Sequence, residues 1–214
     1  GPMTTLRALM DMRGRRALVT GAAGGIGRVI ALTLAELGAD LILVDRPGAA
    51  YHSLLHDLQQ YPKSNVATHD CDLEQSDDRE RLIRTVASDA AGLHVLVNNA
   101  GFVGTSGLQG WVTDFAQQSV ETWRRALEVN LTAAFALAQG FAPQLRTSHG
   151  SIINIASIYG THGPDHRLYD GTAMGNPAAY AASKGGLLQL TRWLATTLAP
   201  EVRVNAISPG GVAR

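Results

Sequence analysis

From Arg16 the chain runs through five strand-forming residues to Thr20 and breaks into Gly21-Ala22-Ala23-Gly24-Gly25-Ile26-Gly27. Beyond the break Ile26, Ile30 and Leu34 share one stripe at helical spacing, and Gly38 supplies a stop. Leu41-Ile42-Leu43-Val44-Asp45 follows, apolar without alternation, the pattern of a strand covered on both faces. Strand, glycine turn, helix and buried strand in that order constrain the chain to a parallel βαβ unit with a right-handed crossover.

The same alternation continues to the end. The pattern predicts a helix from Ser53 to Gln60, a strand from Val66 to His69, a charged helix from Asp77 to Ala90 and a strand from Leu93 to Val97. That strand runs into Asn98-Asn99-Ala100-Gly101 and a glycine-rich connection through Gly110, long enough to carry function. A helix is predicted from Val120 to Leu145, where Trp123, Leu127, Leu131 and Phe135 recur every fourth residue. A strand from Ser151 to Ala156, a helix from Tyr180 to Leu198 and a strand from Val202 to Ile207 complete the series. The expected fold is α/β, a doubly wound parallel sheet flanked by helices on both faces, in three layers.

Composition narrows the function classes. The 214 residues suit one domain, 1–214, and 17% charged residues with 23 glycines describe a core-rich chain with many close backbone approaches. Eighteen basic residues cancel eighteen acidic ones and no basic run stands out, so no nucleic-acid partner is expected. The single cysteine, Cys71, allows no internal disulfide and fits a reducing compartment. No segment reads as a signal peptide or a membrane span, which predicts a cytoplasmic protein. Gly1-Pro2 ahead of Met3 read as a tag remnant. No metal site is expected.

Two constellations carry chemistry. Where a glycine turn opens a helix, backbone N–H groups can approach a pyrophosphate at the positive helix end, because no Cβ intervenes. Asp45 ends the next strand, where a carboxylate can accept both hydroxyls of an adenosine ribose and repel a 2′-phosphate; NAD is therefore expected over NADP. Arg46 beside it weakens that preference, since an arginine there can accommodate a phosphate. The second constellation is Tyr180-Ala181-Ala182-Ser183-Lys184. On a helix, positions i and i+4 leave one face a turn apart, so phenol and ammonium act as a unit. A fixed positive charge favours a phenolate, which makes the pair a candidate general acid and base.

These motifs together resemble the short-chain dehydrogenase/reductase family, in its ordinary single-domain branch with a Rossmann-type fold. Thr20-Gly21-x-x-x-Gly25-Ile26-Gly27, with Ala23 inside the turn, is similar to the family's cofactor motif, and Asp72-Leu73 to the pair that contacts adenine. Asn98-Asn99-Ala100-Gly101 matches the fourth-strand motif, and Asn99, Ala100 and Gly101 are carried over as cofactor contacts. Asn130, Ser157, Tyr180 and Lys184 fall where the family has its catalytic asparagine, serine, tyrosine and lysine. Ser208-Pro209-Gly210 resembles the segment beside the nicotinamide, which adds Pro209, Gly210 and Val212 to the expected cofactor contacts.

The resemblance implies hydride transfer between nicotinamide and a secondary alcohol or ketone. Tyr180 would move the proton, Ser157 would orient the substrate oxygen, Lys184 would hold the nicotinamide ribose, and Asn130 would anchor a proton-relay water. It also implies a homodimer or homotetramer, because the helices predicted at 120–145 and 178–198 carry Trp123, Phe135, Leu190 and Trp193 on more sides than a sheet can cover. Two alternatives stand beside this reading: a nucleotide-binding scaffold without catalysis, and a sugar-nucleotide epimerase or dehydratase of the extended branch, which shares Tyr-x-x-x-Lys.

Two departures from the family pattern matter. The stretch between Ser157 and Tyr180 is longer than usual, and its His162, Asp165, His166, Arg167, Tyr169 and Asp170 predict a polar, sugar-like substrate. The family's substrate-covering segment and seventh strand are not found before Arg214, and the native chain is expected to continue beyond it.

Overall fold

The computed structural model describes residues 4–102, 108–163, 167 and 175–211. After a short helix α1 (Leu6–Leu9) come β1 (Arg16–Thr20), α2 (Gly25–Glu36), β2 (Asp40–Asp45), α3 (His52–Leu58), β3 (Val66–Asp70), α4 (Ser76–Ala87) and β4 (Val95–Asn98). The second half holds α5 (Val120–Leu127), α6 (Ala133–Ser148), β5 (Ser151–Ile155), α7 (Ala178–Leu198) and β6 (Arg203–Ile207). All six strands pair in parallel, in the order β3-β2-β1-β4-β5-β6. This is the Rossmann-type three-layer arrangement that the alternating pattern predicts.

Strand periodicity explains why β1 and β2 read as continuous apolar runs. Successive side chains point to opposite faces. Leu18, Ile42 and Val44 pack with Leu82, Leu137, Phe141 and Leu194 from α4, α6 and α7. Ala17, Val19, Leu41 and Leu43 pack with Ala31, Ala35, Leu54 and Leu58 from α2 and α3. Ala17 to Thr20 and Leu41 to Val44 are thus all buried, on one face or the other.

Several sequence expectations shift. On α2 the buried centre is Gly27, Ala31 and Ala35, one position from the expected stripe; small residues face the sheet, and Ile30 and Leu34 flank them. The charged helix ends at Ala87, and its chain turns at Gly92 with φ +72° before β4 starts at Val95, two residues later than expected. The single helix predicted from Val120 to Leu145 is α5 and α6 joined by one π-helical turn, Glu128–Thr132, and it runs on to Ser148. Of its every-fourth-residue stripe, Trp123 and Phe135 are 37% and 41% exposed and Leu127 and Leu131 half-buried, while Thr122, Ala126, Asn130 and Leu137 are buried. Two 3-10 turns, Phe115–Gln117 and Ile158–Gly160, were not anticipated from the sequence.

Candidate active site

Strand order reverses between β1 and β4, whose following segments diverge and leave a crevice at their carboxyl ends, where open α/β sheets bind ligands. The crevice floor is built by a threonine and an asparagine. Thr20 Oγ1 accepts from the backbone N–H groups of Asn99 and Ala100, both at 3.0 Å, and Asn99 Nδ2 donates to the carbonyls of Thr20 at 3.1 Å and Gly21 at 3.2 Å.

This stitching dictates the glycines. Gly21 has φ +61°, a left-handed conformation that costs any L-residue energy, and a Cβ there would lie 2.9 Å from the Ala100 Cα. At Gly27 a Cβ would meet the Gly21 carbonyl oxygen at 2.0 Å, so only glycine lets the helix start this close to the turn. Gly25 differs, because a Cβ there would meet nothing within 4 Å. No side chain caps this end of α2. Open space in front of uncapped first-turn amides fits the diphosphate of a dinucleotide.

Asp45 ends β2 as predicted, and its carboxylate already has two neighbours. Oδ2 accepts from Ala23 N–H at 3.0 Å and Oδ1 from Arg46 N–H at 2.8 Å. The acid therefore braces the glycine turn and keeps further lone pairs unused by these two bonds. Arg46 is exposed. Nearby, the Tyr51 hydroxyl is buried without a hydrogen-bond partner among the described residues, and burial with the Asp45 and Asp70 charges raises its pKa. Asp72 follows β3; its Oδ1 accepts from Glu74 N–H at 3.0 Å, its own N–H is bound by Asp78, and Leu73 beside it is buried.

The candidate acid/base residues come from the end of β5, α7 and the π turn. Ser157 follows β5, and its Oγ accepts from Tyr159 N–H at 3.2 Å, which leaves the hydroxyl hydrogen available to another acceptor. The turn behind it lies directly on α7: a Cβ on Gly160 would come 2.9 Å from the Lys184 carbonyl carbon and oxygen. Ile158 N–H donates to the Pro209 carbonyl at 3.3 Å, bringing Pro209 and Gly210 beside the same turn.

Tyr180 and Lys184 share one face of α7, with the Lys184 Nζ 5.8 Å from the centre of the Tyr180 ring. Lys184 is 4% exposed, its Nζ donates to the Ile155 carbonyl at 3.0 Å, and burial pulls its pKa down to about 8. Asn130, inside the π turn, is 2% exposed and uses both ends of its amide. Oδ1 accepts from Phe102 N–H at 2.6 Å, and Nδ2 donates to Ser183 Oγ at 2.9 Å. Ser183 Oγ in turn donates to the Tyr180 carbonyl at 3.0 Å.

Three parts of the site were not read from the sequence. Ser183 links Asn130 to Tyr180, and its position inside the Tyr-x-x-x-Lys motif was the only signal available. Phe102 and Trp111 meet edge to face with centroids 5.1 Å apart, and their cluster with Ala126 and Ala179 packs against Tyr180. Asn176, just ahead of α7, has both side-chain amide atoms buried without a partner among the described residues. Val212, Asp165, His166, Tyr169 and Asp170 lie outside the described residues, while His162 and Arg167 are exposed. Among the described residues no helix is long and apolar enough to cross a membrane, and no group of three or more His, Cys, Asp or Glu residues is placed to hold a metal ion.

Comparison with known proteins agrees with this geometry. The family profile described as short chain dehydrogenase matches residues 15–213. Nodulation protein G of Rhizobium sp. (strain N33) is 35% identical over 206 residues, covering 94% of this chain and 75% of that protein. NAD+-bound xylitol dehydrogenase is similar in structure with a TM-score of 0.79 at 32% identity, over 94% of this chain and 73% of the other. The Pseudomonas aeruginosa RhlG/NADP active-site complex gives 0.80 at 32% identity, over 95% and 75%. With its glycine turn, its Ser157 turn and its Tyr180–Lys184 face on one crevice, this chain belongs to the short-chain dehydrogenase family.

Proposed function

We propose that this oxidoreductase uses NAD to interconvert a secondary alcohol and its ketone. The observation that carries the reading is the convergence of Ser157, Tyr180 and Lys184 beside the crevice whose floor holds the glycine turn and Asp45. The cofactor fits by two features of the chain: the open space at Gly25 in front of uncapped amides, and a carboxylate at Asp45 where ribose hydroxyls would lie. Gly21, Ala23, Gly25, Ile26 and Gly27 would hold the diphosphate, Asp72 and Leu73 the adenine, and Asn99, Ala100, Gly101, Pro209 and Gly210 the nicotinamide half. Asp45 supports NAD over NADP; similar structures include one bound to NAD+ and one to NADP.

When bound, nicotinamide supplies the hydride acceptor or donor. The remaining chemistry belongs to the chain. Ser157, its lone pair engaged by Tyr159 N–H, donates its hydrogen to the substrate oxygen and orients it. Tyr180 takes the alcohol proton, or returns it to the ketone, as general base or acid. Lys184 keeps a positive charge near that phenol, and its lowered pKa lets it release a proton in turn. The Asn130 side chain holds Phe102 N–H and Ser183 Oγ and keeps one lone pair and one amide hydrogen, with which it would anchor a proton-relay water.

A polar, sugar-like substrate is supported by Asn176, whose buried amide offers a donor and an acceptor four residues before Tyr180. The aromatic cluster of Phe102 and Trp111 beside Tyr180 favours a second reading, an acyl ketone. The 3-oxoacyl-[acyl-carrier-protein] reductase FabG of Thermotoga maritima is among the relatives, at 31% identity. We further place the enzyme in the cytoplasm, in keeping with its one buried, unpaired cysteine, as a homodimer or homotetramer joined through the outer faces of α5, α6 and α7. The test is absorbance of reduced nicotinamide with NAD or NADP against a panel of polyols, sugars, hydroxy acids and a 3-oxoacyl thioester. Turnover of polyols with NAD supports the first reading, thioester reduction the second, and no turnover of any member contradicts both.

A further inference from the structure

The loop after β3 and the helix segment that carries Asn130 are held together by two arginines. Arg79, on α4, is 6% exposed. Its Nη1 donates to the Leu73 carbonyl at 2.6 Å, and its Nη2 pairs with Glu128 Oε1 at 2.9 Å, at the start of the π turn. Arg125, at the end of α5, donates from Nε to Glu74 Oε1 at 2.6 Å and from Nη2 to Oε2 at 3.3 Å. Its guanidinium also lies 5.3 Å from the Phe102 ring centre. Phe102 N–H binds Asn130, Asn130 binds Ser183, and Ser183 binds the Tyr180 carbonyl. Through these contacts and the two peptide units between Glu128 and Asn130, Leu73 is connected to Tyr180.

The choice of arginine matters at position 79. A buried guanidinium is tolerated only where its donors find acceptors, and its planar fork fixes two acceptors relative to each other as a flexible ammonium does not. Little slack lies between the two ends. The cavity lined by Leu73, Asn98, Ala100 and Asn130 has a volume of about 10 Å³, at the lower limit for one water. In packing this close, a displacement of Leu73 is passed on to its neighbours.

We propose that Arg79 is a positioning residue that couples occupation of the Asp72–Leu73 pocket to the setting of Asn130 and, through Ser183, of Tyr180. The proposal rests on the reading above that this pocket takes the adenosine half of the cofactor. A ligand carrying that half alone then steadies the π turn without touching it.

Hydrogen exchange read by mass spectrometry on the whole chain tests this, with AMP at saturation as the probe. In the unmodified protein AMP slows exchange in residues 71–75 and also in residues 127–134. The second effect is expected at about fivefold, the low end for coupled sites. Arg79→Met keeps the first effect and loses the second, and Arg79→Lys, which keeps the charge without the fork, does not restore it. Should Arg79→Met fail to fold, Glu128→Ala opens the same pair from its more exposed side and is expected to give the same loss. Protection of 127–134 by AMP that survives in these variants, or is absent from the unmodified protein while 71–75 is protected, overturns the coupling. Absence of protection at 71–75 itself overturns the adenosine reading on which it rests.

Discussion

Lys184 holds its ammonium in a place where charge is costly, and replacing it should make the cofactor-free protein more stable while destroying its activity. Burial lowers the Lys184 pKa to about 8 from the ordinary 10.5. The folded state therefore binds this proton less tightly than the unfolded state. The resulting destabilisation is complete below about pH 8, shrinks as pH rises through the interval, and is gone above 10.5. At ~1.4 kcal/mol per pKa unit the cost at neutral pH is about 3 kcal/mol. Lys184→Met removes it, fills a similar volume, and leaves the Ile155 carbonyl without this donor, a loss of about 1–3 kcal/mol. The net expectation is a gain of up to about 2 kcal/mol at pH 7, or up to roughly 4–8 °C in Tm for a chain of this size. The gain should fade with rising pH and change sign by about pH 10, where the neutral amine still makes its hydrogen bond. Urea denaturation of both proteins at pH 7, 9 and 10.5, followed by tryptophan fluorescence, measures this directly. A variant less stable than its parent at pH 7, or a difference that does not vary with pH, would refute the argument.

Tyr180→Phe should cut turnover by ~100-fold or more while leaving the dissociation constant of NAD within a few-fold, because only the phenolic proton transfer is lost; a mild loss of rate would show that another group moves the proton. Asp45→Ser should narrow the preference for NAD over NADP measured by titration, and tighter NADP binding by the unmodified chain would remove Asp45 from its proposed role. The same change also removes the brace on Ala23 N–H, so affinity for both cofactors should fall together. Trp193 is 55% exposed on α7, and Trp193→Glu should shift the assembly to monomer in light scattering at micromolar concentration; an unchanged mass would place any contact between copies elsewhere.

What was legible in the sequence divides along physical lines. The parallel sheet was legible because strands covered on both faces must be apolar throughout, and Leu41 to Val44 could satisfy nothing else. The glycine turn, Asp45 and the Tyr180–Lys184 pair could be proposed from their spacing, whereas Ser157 rested on the resemblance to the family, because a lone serine at a strand end carries no pattern of its own. The α2 stripe was misplaced by one residue because hydrophobicity marks large side chains, whereas close helix-to-sheet approach selects Gly27, Ala31 and Ala35. The outward stripe of Trp123 and Phe135 shows the same limit: period reports a face but not what lies against it. The π turn was hidden because one added residue in a long helix leaves no break in composition. Ser183, Arg79 and Glu128 were hidden because their partners lie far away in the chain, and polar residues that pair only in three dimensions look like surface until the fold joins them.

The position of the Tyr180–Lys184 face relative to the crevice depends on one more buried set of polar groups. Asn98, at the end of β4, donates to Asn154 Oδ1 on β5 at 2.9 Å, Asn154 donates to Thr191 Oγ1 on α7 at 3.0 Å, and Thr191 donates to the Leu187 carbonyl at 2.7 Å. All three side chains are buried. Replacing any one alone would strand a partner out of reach of water, which costs more than the bond itself contributes. Asn98 and Asn154 are also register partners in the sheet. A slip of β5 by one residue would turn Asn154 to the opposite face and leave both asparagines unpaired, so the ladder excludes that register. The same bonds fix α7 along its axis against β5. Lys184, two turns before Thr191, is thereby set within reach of the Ile155 carbonyl, and the Ser157 turn is set against Gly160's close crossing of α7. The ladder thus ties the position of Tyr180 and Lys184 on α7 to the register of β4 and β5 in the sheet.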